Sequence, residues 1–173
     1  VPVQTGAASA VSSEAGKSLD LTMQQQKENE WCWAAVSTSV ALFYQPASGW
    51  TQCSVVNSQL GQTTCCQDGG STACNQPSYL DQALTLVGHF NEGFGGSLTL
   101  ERIAAQIDQG TPFGLCIDWT GGGGHFVVVD GYDLDAQTIE IEDPFFGRST
   151  VPHATFPASY QGGGTWSWTY LTR

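Results

Sequence analysis

Basic side chains are scarce in this sequence, which has five lysines and arginines against sixteen acidic residues in 173 positions. The formal net charge of −11 disfavours binding to nucleic acids or anionic membrane surfaces, because both attract clustered Lys and Arg. Long apolar runs are lacking too, and no stretch reaches the roughly 20 residues that a transmembrane helix needs. We therefore expect neither a nucleic-acid partner nor a membrane partner.

Charged residues make up only 12% of the chain, whereas glycine occurs 21 times. A surface carried by Gly, Ser, Thr, Gln and Asn is common in secreted enzymes, so we expect an extracellular protein. We also expect a monomer. The start, Val1-Pro2-Val3, has no basic region and no Met, so we expect a processed form from which any leader has been removed. The length predicts a single domain over residues 1–173.

The cysteines divide into a cluster and two isolated residues. Four of the six lie within a loop-rich stretch, at Cys53, Cys65, Cys66 and Cys74. Adjacent cysteines without a nearby His do not match the spacing of zinc sites, so we expect two disulfides and neither a metal nor a cofactor. Sequence alone allows three pairings, of which we prefer Cys53–Cys65 with Cys66–Cys74. Cys116 lies in an apolar strand and is predicted to be a buried free thiol.

Apolar periodicity predicts helices in the first part of the chain and strands in the second. Residues 1–18 are small and polar and are predicted to form a flexible or extended arm, and Leu19–Met23 alternates like a short strand. We expect an α+β protein with a helical lobe over 19–110 and a β lobe over 111–173. The helices are predicted at 30–45, 53–61, 79–87 and from a cap at Ser97 or Thr99 to Gly110, and the strands at 113–119, 125–132, 138–142, 148–151 and 165–171.

Cys32 lies between two tryptophans, where a polar run gives way to an apolar helix. The segment Glu30–Val36 reads Glu-Trp-Cys-Trp-Ala-Ala-Val and follows the polar residues 24–29. The first turn of a helix has unpaired N–H groups and the positive end of the helix dipole, which favour a thiolate. The pattern marks Cys32 as a candidate nucleophile, although a free cysteine also packs as a small buried residue.

A thiolate nucleophile needs a base and a group that orients the base. His125 follows four glycines and opens an apolar strand, whereas His89 is predicted in a surface turn and His153 in a loop. Folding this strand back through the turn near 133–137 places position 125 opposite 144, to within a residue or two, so Asp143 lies within reach of the imidazole. Asp130 is an odd number of residues from His125 and therefore faces the other side of the sheet.

An oxyanion stabiliser completes this type of site. The backbone N–H of Cys32 at the helix start is one candidate donor, and a side-chain amide just upstream is the other. Gln24, Gln25 and Gln26 are all available for that role.

These residues carry a family resemblance. The segment from Gln26 through Trp31-Cys32-Trp33-Ala34-Ala35 resembles the active-site entrance of papain-like cysteine peptidases, and the whole string is similar to the bacterial branch of the AvrRpt2 effector peptidases and the C39-like peptidases. The glycine run before His125 and the Ile-Glu-Asp143-Pro segment also match this branch. The resemblance implies that Cys32 is the nucleophile, His125 its base, Asp143 the third residue and Gln26 the oxyanion glutamine. An aspartate here replaces the asparagine of papain itself.

The resemblance also implies a fold, in which an N-terminal helical lobe carries the nucleophile helix and packs on a C-terminal antiparallel sheet or barrel. We therefore predict a secreted cysteine endopeptidase that forms a thioester acyl-enzyme on Cys32. Its expected partner is a protein or peptide substrate, and a pro-segment or an inhibitor protein is a further partner to consider. Two alternatives stay open, namely the same triad used for deamidation, transglutaminase or ligase chemistry, and a non-catalytic binding domain held together by disulfides.

Overall fold

The computed structural model describes residues 15–173, which contain four helices. Each begins and ends within two residues of the position that capping residues and apolar spacing predict. Thr51 caps the second helix and Gly61 ends it in the left-handed conformation, and Thr99 caps the fourth. The helices are α1 (Cys32–Tyr44), α2 (Gln52–Leu60), α3 (Leu80–Val87) and α4 (Leu100–Asp108).

Seven strands in the described residues form one antiparallel sheet. They are β1 (Gly16–Ser18), β2 (Phe90–Gly95), β3 (Phe113–Trp119), β4 (Gly124–Asp133), β5 (Thr138–Asp143), β6 (Gly147–Pro152) and β7 (Gly164–Thr172). The strand order is β2-β7-β3-β4-β5-β6, and β1 pairs with the far end of β4. The predicted α+β class is confirmed.

Helices cover both faces of this sheet. Val36 and Val40 of α1 belong to a buried cluster that includes Val128 of β4, whereas Ile103 and Ile107 of α4 pack with the opposite face. A strand buried on both faces has an almost continuous apolar run, as residues 126–129 show. The packing of α1 against β4 brings the first residue of the helix beside the first residues of the strand. No helix within residues 15–173 is long and apolar enough to cross a membrane.

Three segments differ from their predicted structure. Residues 1–14 of the predicted arm lie outside the described residues, and Gly16–Ser18 forms β1. The strand predicted at Leu19–Met23 is wrong, because the alternation there reflects the burial of Leu21 beneath α1 and not pairing with another strand. Strand β2 was not predicted, since its exposed edge position needs no apolar pattern and its two glycines suggest a turn. Strand β2 pairs with β7, and α4 packs against the sheet. Two elements of the predicted helical lobe, residues 19–110, are therefore joined to the β-sheet.

The predicted disulfide pairing is wrong. Cys53 pairs with Cys66, and Cys65 pairs with Cys74, with Cα–Cα distances of 4.9 and 5.4 Å. Cys65 and Cys66 lie in a turn in which the backbone N–H groups of Gln67 and Asp68 donate to the Thr64 carbonyl. In this turn Cys66 reaches Cys53 of α2, whereas Cys65, which is 2% exposed, is buried in the core and pairs with Cys74.

Candidate active site

Cys32 is the first residue of α1, and the two tryptophans beside it anchor the helix start. Trp31 and Trp33 are buried, and their indole N–H groups donate to the carbonyls of Cys74 and Gln76 at 2.8 and 2.9 Å. The disulfide loop is thereby fixed against the entrance of α1. As the first residue of the helix, Cys32 has a backbone N–H without an intrahelical acceptor.

His125 and Asp143 lie together, as the strand register predicts. The pairing of Val128 with Glu142 places residues 125 and 143 diagonally opposite on one face of β4 and β5. The His125 Nε2–H donates to Asp143 Oδ1 at 2.8 Å, and the two residues are 7% and 2% exposed. Because Nε2 faces the carboxylate, Nδ1 is the ring nitrogen left for the thiol of Cys32.

The environment of His125 favours the imidazolium. Burial by itself lowers the pKa of His125, but hydrogen bonds from its ring to Asp143 and to Cys32, together with the charges of these two groups, raise it to about 9. Burial acts to raise the pKa of Asp143, yet the hydrogen bond and the charge of His125 outweigh it, and the pKa is lowered. The pair therefore carries opposite charges at neutral pH.

Three further donors surround the Asp143 carboxylate, and sequence reasoning missed them. The Tyr160 hydroxyl donates to Oδ2 at 2.6 Å, and the backbone N–H groups of Phe145 and Phe146 donate to Oδ1 at 2.7 and 3.0 Å. The two backbone donors follow from an aspartate that begins a turn, a common role for this residue. No sequence pattern points to Tyr160, which comes from a loop 17 residues further along.

Asp130 lies on the other face of the sheet, as strand alternation predicts. Its Oδ2 accepts from the Arg148 guanidinium at 3.2 Å, and the same guanidinium contacts Glu142. Burial and the charge of Glu142 raise the pKa of Asp130 to about 7, against the opposing effect of Arg148. This acidic cluster is separate from His125, because Glu142 and Asp143 point to opposite faces of β5.

Gln26 lies at the edge of the site on the segment that leads to α1. Its backbone N–H donates to the carbonyl of Pro144 at 2.8 Å, directly after Asp143. The side-chain Nε2 donates to the carbonyls of Asn29 and Glu28 at 2.7 and 3.0 Å. The amide is therefore oriented by the loop before Cys32, and it can donate to an oxyanion only when it exchanges one of these carbonyls.

A cleft of about 500 Å³ opens beside His125. Trp119 stacks on the imidazole with ring centroids 5.7 Å apart, and Phe146 meets the same ring edge-on at 6.3 Å. The cleft is lined by Gln26, Asn29, Glu30 and Pro77 on the helical side and by Trp119, Gly122–Gly124, His125, Phe145 and Phe146 on the strand side.

The other candidate side chains lie outside this arrangement. The prediction that His89 is a surface residue is wrong, because it is 7% exposed, stacks on Tyr44 and has Nδ1 2.8 Å from the Arg173 carbonyl. Cys116 is a free thiol, as predicted, but it is half-buried, and burial raises its pKa to about 11. Residues 15–173 contain no group of three or more His, Cys, Asp or Glu side chains placed to hold a metal ion.

Comparison with known proteins identifies a family and a fold. Residues 15–161 match the protein-family profile described as papain-like cysteine protease AvrRpt2, a stretch that contains Gln26, Cys32, His125 and Asp143. No curated protein matches the chain in sequence.

Solved structures share the fold at low sequence identity. A double glycine motif protease from an AMS/PCAT transporter, solved in complex with the leader peptide, is 22% identical, with a TM-score of 0.53 over 90% of this chain and 93% of its own. Xylellain, a cysteine protease from Xylella fastidiosa, is 14% identical, with a TM-score of 0.51 over 92% of this chain and 86% of its own. The predicted papain-like fold is thereby confirmed.

Proposed function

The chain belongs to the AvrRpt2 family of papain-like cysteine proteases and is thus a cysteine peptidase, and we propose that Cys32, His125 and Asp143 are its catalytic triad. The observation that carries this proposal is the buried His125 ring, which is hydrogen-bonded to Asp143 through Nε2 and lies beside the Cys32 thiol. The raised pKa of His125 keeps the ring protonated at neutral pH, as an imidazolium–thiolate pair requires.

The reaction follows from the positions of these groups. The Cys32 thiolate attacks the scissile carbonyl carbon, and His125 Nδ1 gives its proton to the leaving amine, so that a thioester forms on Cys32 as the C–N bond breaks. Water then attacks the thioester, and His125 takes the proton of this water as the thiolate leaves. Asp143 holds the ring in position and stabilises its positive charge through both steps.

The oxyanion is bound by the two donors that flank the start of α1. The Cys32 N–H is free of helical partners, and Gln26 Nε2 lies on the loop directly before it. We propose that the developing negative charge on the substrate oxygen draws the Gln26 amide from a loop carbonyl, because a charged acceptor is stronger than a neutral one.

A peptide is the proposed substrate, in agreement with the leader peptide bound to the double glycine motif protease. Phe145 and Phe146 leave 57% and 46% of their surfaces exposed beside His125, which protonates the leaving amine. We propose that this aromatic pair binds an apolar side chain on the leaving-group side of the scissile bond. Two disulfides support action in an oxidising compartment, and we propose a secreted bacterial enzyme that acts as a monomer.

Replacement of Cys32 by alanine tests the proposal, and the other free thiol supplies a matched control. Cys32→Ala is expected to abolish the release of new N-termini from casein or a peptide library, while Cys116→Ser retains it. Iodoacetamide should label Cys32 first, because Cys116 has a raised pKa. Unchanged cleavage by Cys32→Ala would overturn the triad. Ammonia release without new N-termini would indicate deamidation instead.

A further inference from the structure

Gln52 is the first residue of α2, and its side-chain amide is buried, with 2% of the residue exposed. A buried amide needs partners for both its oxygen and its nitrogen. Gln52 Oε1 accepts from the backbone N–H of Lys27 at 3.0 Å, and Nε2 donates to the Gln25 carbonyl at 2.9 Å and to Gln24 Oε1 at 3.0 Å. All of these partners belong to the segment before Cys32.

The partners of Gln52 lie on both sides of Gln26. The Gln25 carbonyl belongs to the peptide unit before Gln26, and the Lys27 N–H belongs to the unit after it. One side-chain amide therefore holds the two peptide units that flank Gln26. On its opposite side, the Gln26 N–H donates to the Pro144 carbonyl, next to Asp143.

This segment has no helix or strand to hold it, since residues 19–26 lack regular secondary structure. A backbone without a hydrogen-bond ladder takes its position from side chains and from isolated contacts. The Gln24 N–H donates to Ser39 Oγ of α1 at 2.9 Å and ties the segment to that helix. The clamp by Gln52 and the contact with Pro144 are the contacts that flank Gln26 itself.

We propose that Gln52 is a positioning residue for peptide hydrolysis, which holds Gln26 where its amide can bind the oxyanion. The inference rests on the proposed function, because it gives Gln26 and the triad their roles. Gln52 does not touch the reacting atoms, and it acts through the backbone on both sides of Gln26.

Only a side chain that accepts and donates at once fits between these two peptide units. Glutamate at position 52 keeps the acceptor for the Lys27 N–H but, when ionised, presents a second oxygen to the Gln25 carbonyl. When protonated it can both accept and donate, as glutamine does. Burial raises the pKa of such a carboxyl, so the protonated form persists well above the ordinary range.

The test compares Gln52→Ala with Gln59→Ala, a matched control on the same helix. Gln59 Nε2 donates to Ser78 Oγ and to the Tyr79 carbonyl. Gln59→Ala therefore also removes two hydrogen bonds of a side-chain amide, but at a place that does not touch the segment around Gln26. Two assays are run on the folded full chain. One gives kcat and KM for a peptide substrate, and the other gives the rate of Cys32 alkylation by iodoacetamide. Alkylation needs the thiolate but no oxyanion donor.

Gln52→Ala is expected to lower kcat by about 10- to 100-fold with little change in KM, since removal of an oxyanion donor costs about that much or more. The alkylation rate should stay within about twofold, and Gln59→Ala should behave as the wild type in both assays. Gln26→Ala combined with Gln52→Ala should lose no more activity than Gln26→Ala alone, because both act through one interaction.

Equal kcat values for Gln52→Ala and Gln59→Ala, or losses that multiply in the Gln26 and Gln52 double variant, would overturn the inference. If Gln52→Ala does not fold, Gln52→Glu decides the question. Its activity relative to the wild type should rise as pH falls, and a ratio independent of pH would refute the clamp. Failure of the proposed function is distinguishable, because wild-type protein would then release no new N-termini or Cys32→Ala would remain active.

Discussion

Replacing Asp143 by asparagine is expected to lower the alkaline limit of peptidase activity by about one pH unit. The carboxylate contributes both a hydrogen bond and a negative charge to His125, whereas asparagine contributes an acceptor oxygen without the charge. Its amide nitrogen takes the place of Oδ2, so the Tyr160 hydroxyl there must accept instead of donate. The Oδ1 of asparagine can still accept from the His125 ring and from the backbone N–H groups of Phe145 and Phe146. The variant therefore changes the charge beside the ring with little change in its position.

The magnitude follows from the pKa of His125, which is raised from 6.5 to about 9. Protonation of the buried ring is thus favoured by about 3 kcal/mol relative to the unfolded chain, since each pH unit corresponds to about 1.4 kcal/mol. Asp143 and Cys32 both act against the cost of burial. If Asp143 supplies about half of the net effect, loss of its charge costs about 1.4 kcal/mol.

The free energy of unfolding depends on pH through the shifted pKa values of His125 and Asp143. His125 has a raised pKa in the folded state, so its contribution is complete below 6.5 and is lost as pH rises through about 9. Asp143 has a lowered pKa, so its contribution is present above 3.8 and is lost as pH falls through its lower folded value. The pair stabilises the fold most between these limits.

The measurements are kcat/KM for a peptide substrate across the alkaline range, and urea unfolding near pH 6 and near pH 10. Wild-type activity should fall above about pH 9, and its free energy of unfolding should decrease between the two pH values more than that of Asp143→Asn. Asp143→Ala serves as the control for lost orientation, and its activity should be low at every pH. An alkaline limb of Asp143→Asn that coincides with the wild type would refute this account of the ion pair.

Three further perturbations test the surroundings of the site. Tyr160→Phe removes a donor from the buried Asp143 carboxylate and should lower the free energy of unfolding by about 2 kcal/mol in urea titrations, whereas an unchanged midpoint would contradict the contact. Phe146→Ala should lower kcat/KM for peptides with an apolar residue just after the scissile bond by about tenfold relative to glycine there, and equal losses for both would contradict the proposed contact. Replacing Cys53 and Cys66 together by serine should destabilise the fold by about 3 kcal/mol in the same titrations, because the disulfide restricts the unfolded chain over a sequence separation of 13 residues. Reduction of the wild type breaks this bond as well, so a smaller loss of stability on reduction than on replacement would argue against that reasoning.

Local patterns in the sequence were enough to predict the framework of the site. An apolar helix with Cys32 in its first turn and an apolar strand opened by His125 are both periodic signals, and the structure has these elements at Cys32–Tyr44 and Gly124–Asp133. The pairing of β4 with β5 shifts by one residue between Val129 and Gly131, and this shift, which the turn near 133–137 does not set, places Asp143 on the same face as His125. The roles of these residues in catalysis stay predictions until the variants are measured.

The tertiary structure decided which side chains support that framework. Tyr160 reaches Asp143 from a loop, and Gln52 reaches the segment around Gln26 from a separate helix. Contacts of this kind depend on how elements pack, and they leave no periodic trace in the sequence. The disulfide pairing was mispredicted for the same reason, because the turn that holds Cys65 and Cys66 brings Cys66 to Cys53 of α2 and leaves Cys65 for Cys74.

The positions of Cys32 in the first turn of a helix and of His125 at the opening of a strand could thus be predicted from the sequence alone, because helix starts and strand alternation depend on short-range geometry. The contacts that hold these residues in place were decided only by the tertiary structure. The hydrogen bond from Tyr160, the clamp by Gln52 and the hydrogen bond from Trp31 to the cysteine loop each join residues far apart in the chain, so they form only when the chain is folded.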